Sequence, residues 1–148
     1  MSVLQSKRTT SRTEYINTAK DIYIETLTFL TKLSAKYSRL IANRIADLAG
    51  EVLDLCEKAN QIYPSGEDNK RIRKEMLLNA RASLMALDVR LTLCYEFMNR
   101  NPQGCFEKEI SASTAKEKIS KMADKLGELL NKEKNLINAV IESDRKRK

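Results

Sequence analysis

The chain has 148 residues, with 27 Lys and Arg against 20 Asp and Glu, three Cys and no His. Its 42% hydrophobic content sustains one core, while four Gly, two Pro, no Trp and 5% aromatics argue against turn-rich sandwiches and barrels. Without histidine there is no His-based triad, no His zinc site and no imidazole base, and a net charge of +7 favours an acidic partner such as nucleic acid or an acidic protein face.

In chain order, residues 1–12 are polar and lack both periodicity and the apolar stretch of a secretory leader, so they read as a flexible tail. A first helix is expected from Thr13, because Ile16, Ala19, Tyr23, Leu27, Leu30 and Leu33 recur at the spacing of one helical face. The pattern stutters from Ser34 to Ser38, and Ser38 can cap a second helix. One unbroken helix from Thr13 to Ile62 would be a rod about 75 Å long, more than a chain this size can cover.

The second helix, to about Ile62, puts Ile41, Ile45, Leu48, Val52, Leu55, Cys56 and Ala59 on one face and Asp47, Glu51, Asp54 and Glu57 on the other. Pro64 to Asn69 is a loop, and Asp68 or Asn69 can cap a third helix to about Asn99. Its main stripe is Met76, Leu77, Ala80, Leu84, Leu87, Leu91, Cys94, Tyr95 and Met98. A second stripe, Leu78, Met85, Val89 and Leu93, lies about 150° away. A helix apolar on two sides is buried on two sides, so the second stripe is the expected oligomer interface.

Asn101 to Gly104 ends that helix, and Cys105 to Ser113 reads as a longer connection. Thr114-Ala-Lys-Glu117 fits a capping box, opening a fourth helix to about Ser143 with Ile119, Met122, Leu126, Leu129, Leu130, Ile137 and Val140 on its face. Residues 144–148 form a short basic tail. The expected domain over 13–143 is all-α, an antiparallel up-down-up-down four-helix bundle.

Basic clusters are the main functional signal. Lys70, Arg71, Arg73 and Lys74 open the third helix, where the macrodipole disfavours cations, and Arg81 projects within about 20° of Lys74. Lys118, Lys121, Lys125 and Lys132 fall within about a 60° arc of the fourth helix, a cationic rail able to displace several counterions from a polyphosphate at once. A solvated face is the competing explanation, since Glu117, Asp124 and Glu128 flank the rail. Arg90, beside the apolar stripe, either pairs structurally or meets a phosphate, and Glu133 near the fourth helix's stripe raises the same question. The acidic face of the second helix and the basic face of the fourth could meet between subunits of a ring.

GxxxxGK[ST], GxGxxG and CxxC are missing, and no pair of carboxylates has catalytic or metal-binding spacing. No catalytic residue, metal or cofactor is therefore expected. An odd count of irregularly spaced cysteines suits a reduced, cytoplasmic setting, with Cys56 and Cys94 in the core and Cys105 exposed in its loop. No apolar run is long enough to span a membrane.

Two stretches carry a resemblance: Asn79-Ala-Arg-Ala-Ser-Leu-Met-Ala-Leu-Asp-Val-Arg-Leu-Thr-Leu-Cys-Tyr95 and Ile119-Ser-Lys-Met-Ala-Asp-Lys-Leu-Gly-Glu-Leu-Leu130. They resemble the third and fourth helices of a small four-helix-bundle family. That family contains the accessory variability determinants of diversity-generating retroelements and proteins encoded in intervening sequences of bacterial large-subunit rRNA. The likeness covers roughly residues 20 to 140, in the pattern Ala-x-x-x-Leu-x-x-Leu-Asp and a later Leu-Gly. It implies a homopentameric ring with a basic surface: a nonenzymatic partner that binds a reverse transcriptase and template RNA or cDNA and supports mutagenic reverse transcription. Arg71, Arg73, Lys74, Arg81 and Arg90 would be the first contacts to test. The rRNA branch usually carries an Ile-Pro-Ser-Asn-like segment where this chain reads Ala59-Asn-Gln-Ile-Tyr-Pro64, which favours the retroelement branch. The alternatives are an RNA-binding protein of the rRNA branch and a plain protein-interaction bundle.

Overall fold

A computed structural model describes the backbone of residues 3–147 and the side chains of residues 13–147. Among these the chain is helical: α1 (Val3–Leu30), α2 (Ala35–Asn60), α3 (Glu67–Met98) and α4 (Ala112–Lys146), with a single 3₁₀ turn at Gln103–Cys105 and no strand. α1 packs on α2 and α4, and α3 packs on the same two, the closed neighbour pattern of a four-helix bundle. Ion pairs fix the antiparallel sense of α1 and α4, since Glu14 meets Lys132 and Glu25 meets Lys125.

The core follows from spacing. α3 buries Leu77, Ala80, Leu84, Leu87, Leu91, Cys94 and Met98, in strictly alternating steps of three and four. α2 keeps the same alternation at Ile45, Ala49, Val52, Cys56 and Ala59. This is the seam that lets helices interlock side chains at a shallow crossing angle. α4 follows it from Ala115 to Leu126, then takes an extra step of four to Leu130 and continues to Glu133 and Ile137. The seam therefore contains one carboxylic acid.

The helix ends differ from expectation where local signals compete. The backbone is helical from Val3, upstream of the expected start at Thr13; Met1, Ser2 and Lys148, assigned to the tails, lie outside the described residues. The break between α1 and α2 is real, but the cap is Ser34 rather than Ser38. α3 starts after Gly66, whose φ of 78° suits glycine, rather than at Asp68 or Asn69. α4 is capped by Ser111, whose hydroxyl accepts the Thr114 N–H at 3.2 Å, so the capping box at Thr114 lies one turn inside the helix. α4 continues to Lys146, past the expected end at Ser143.

The connection before α4 is pinned to the α1–α2 turn. Ser34 N–H donates to the Cys105 carbonyl at 2.7 Å, and Glu107 N–H donates to the Lys32 carbonyl at 2.9 Å. Leu33 and Phe106 form an isolated antiparallel bridge. Cys105 is consequently buried, not exposed, and its thiol donates to the carbonyls of Asn101 (3.1 Å) and Met98 (3.4 Å).

Candidate functional site

α4 buries Ile119, Met122 and Leu126, which turns Lys118, Lys121 and Lys125 to the flank that meets α1. α1 ends there with Phe29 buried, and the pinned connection lays Phe106 against it, ring centroids 6.4 Å apart and nearly perpendicular. The result is a half-open groove of about 200 Å³. Phe29, Phe106, Met122 and Leu126 form its floor. Lys32, Lys118, Lys121 and Lys125 line its walls with Glu25 and Thr28.

Four ammonium groups thus face one carboxylate. Lys125 Nζ sits 2.8 Å from Glu25 Oε1, and Lys118 Nζ lies 6.0 Å above the Phe106 ring centroid. Among the described residues, Lys32, Lys118 and Lys121 make no ion pair. An anion in the groove would relieve the mutual repulsion of the lysines.

The rest of the rail is neutralised. Lys132, beyond the groove, pairs with Glu14 at 3.2 Å. The cluster on α3 does not assemble into a site either. Arg73 was expected at a nucleic-acid surface but is buried. Its Nε donates to Asp144 Oδ2 at 2.5 Å and its Nη1 to the carbonyls of Ala59 (2.9 Å) and Ile62 (3.1 Å). Arg73 therefore satisfies carbonyls at the end of α2 and ties α3 to α4, and a structural role replaces the expected contact. Lys70 Nζ donates to the Arg147 carbonyl. Arg71 bridges Asp68 and Glu75 of its own helix at 3.8 and 3.7 Å. Arg81, half-buried, donates to Asn138 Oδ1 at 2.7 Å, across to α4. Lys74 and Arg90 are exposed and make no ion pair among the described residues.

The structure therefore gathers Lys118, Lys121 and Lys125 and adds Lys32, Phe29 and Phe106, which sequence reasoning missed. No spacing links those three. Packing of α1 on α4 brings Phe29 and Lys32 there, and the hydrogen bonds between the turn and the connection add Phe106.

Two other features bear on function. Met85, Val89 and Leu93, expected at an oligomer interface, are each more than half exposed, and Phe97 extends the row one turn further at 40%. Leu78 is half-buried. In the core, Glu133 has no exposed surface. Cys56 Sγ lies 4.0 Å from its Oε2, and Oε1 has no partner. Burial pushes the Glu133 carboxyl up to about 8, with Lys132 pulling weakly the other way. Burial also raises all three thiols, Cys94 to about 12, which leaves them protonated at neutral pH. Among the described residues no group of His, Cys, Asp and Glu could hold a metal ion, and no helix is long and apolar enough to cross a membrane.

No family model, curated protein or solved structure matches this chain.

Proposed function

We propose that this chain is a nonenzymatic nucleic-acid-binding bundle of the cytoplasm. It serves as the accessory factor of a reverse transcriptase in a diversity-generating retroelement, holding template RNA or cDNA while the enzyme copies it. The observation that carries nucleic-acid binding is the groove, where three lysines without ion pairs surround an apolar floor on a pinned scaffold. A phosphate chain meeting Lys32, Lys118 and Lys121 releases condensed counterions, which supplies affinity without base sequence. The retroelement and the reverse transcriptase are supported by the resemblance of α3 and α4. The exposed row Met85, Val89 and Leu93 supports self-association, and the homopentameric ring is the assembly that the resemblance implies.

The test is fluorescence anisotropy with structured RNA and duplex DNA over a salt series. Three lysine–phosphate contacts give log K falling with log salt at a slope of about −2 to −3. Lys118→Glu with Lys121→Glu abolishes most binding while the helical circular dichroism is retained. Copurification of the reverse transcriptase from nuclease-treated lysate then tests the partner. Absence of binding at low salt overturns the nucleic-acid role and leaves a protein-interaction bundle.

A further inference from the structure

The groove holds two chemistries side by side, and a duplex can use only one of them. Lysines on a helix flank are sufficient for duplex phosphates. They do not require an apolar floor, and a phosphate gains nothing from Phe106 or Met122. Yet both line the same groove as Lys118 and Lys121, and Lys118 Nζ lies over the Phe106 ring. A base has what the phosphate lacks, a flat apolar face, and it exposes that face only when it is unpaired and unstacked.

Resting on the nucleic-acid role proposed above, we infer that the groove takes one unpaired nucleotide of a single-stranded polynucleotide. Its base lies against Phe106 and Met122, and its flanking phosphates meet Lys32, Lys118 and Lys121. Three observations support this occupant. The first is size: about 200 Å³ suits a single ring system, below the roughly 300–1,000 Å³ of sites for larger ligands. The second is charge: Lys125 already neutralises Glu25, so the remaining wall is cationic and matches a phosphate on each side of the base. The third is readiness. Phe106 is held by the bridge to Leu33 and by the Glu107-to-Lys32 hydrogen bond, so the floor exists before a ligand arrives and little ordering cost falls on binding. Lys118 now lies over the Phe106 ring. An entering base takes that face, and the ammonium swings to the phosphate beside it.

The experiment uses the full chain and labelled oligomers of equal phosphate count: oligo-uridylate, oligo-thymidylate, an abasic deoxyribose strand and a duplex. One intact single strand, of either sugar, is expected to bind about tenfold or more tighter than the abasic strand and the duplex, the scale of stacking one base. Thr28 is exposed at the groove, so Thr28→Leu narrows it with an aliphatic side chain that offers no stacking ring and leaves every lysine in place. It should lower the single-strand preference toward one, a ratio that a general loss of phosphate contact leaves unmoved. Equal binding of intact strand, abasic strand and duplex overturns the inference and leaves the nucleic-acid role standing. So does a Thr28→Leu protein, shown folded by its thermal melt, that keeps the full preference. Failure of every polymer to bind at low salt overturns both.

Discussion

At the scale of single residues, Glu133 shows how a helix seam can accept a charge-bearing group by keeping it neutral. The carboxyl's ordinary value near 4.5 rises to about 8 because burial penalises the anion. Between those values the unfolded chain has released the proton and the folded chain still holds it. Stability therefore falls as pH rises from about 4.5 to about 8, by roughly 1.4 kcal/mol per pH unit from this group, and levels off above. Urea melts across that range should show the decline, and Glu133→Leu should flatten it and raise the midpoint at pH 8. Arg73 presents the opposite case, a buried charge held by a carboxylate and two carbonyls. Arg73→Ala strands Asp144 and the end of α2, and should cost about 3–5 kcal/mol in denaturant melts. Sequence pattern places Glu133 near an apolar stripe and Arg73 in a basic cluster. It cannot say that one is satisfied and the other half-satisfied, because their partners lie up to 77 positions away.

At the scale of elements, the rail on α4 and the acids on α1 form one unit. Antiparallel packing brings Glu14 and Glu25 to Lys132 and Lys125, which leaves Lys118 and Lys121 as the members of the rail without an ion pair among the described residues. Such half-exposed pairs stabilise weakly, so their main effect is on the lysines available to an anion. Glu25→Gln should release Lys125, steepen the salt slope for RNA by about one phosphate contact and cost less than about 1 kcal/mol in thermal stability. Unchanged affinity and slope would mean that Lys125 takes no part. α3 shows the same division of faces. Its alternating seam is buried, and the row Met85, Val89 and Leu93 is left to solvent, while Phe97 beyond it packs against Tyr37.

At the scale of the molecule, that row lies outside the core, so the proposed self-association is separable from folding. Met85→Glu with Val89→Glu should leave the melting midpoint of the single chain nearly unchanged and shift the mass measured by light scattering to that of one chain. A wild-type chain that is already monomeric at high concentration would remove the ring. The sequence by itself determined that four helices form and which faces of α2, α3 and α4 form the core seam, because both follow from spacing within one helix, where neighbours are three and four positions apart; in α1 it left out Tyr15, Ile22 and Phe29, which the structure buries. It also pointed to the rail on α4 for the same reason. Tertiary structure alone decided which charges stay free. It buried Arg73, paired Lys125 and Lys132 with α1, enclosed Cys105, and carried Lys32 and Phe106 to the foot of α4. Each of these depends on which helices lie side by side and on backbone hydrogen bonds between distant connections, and no local period encodes either.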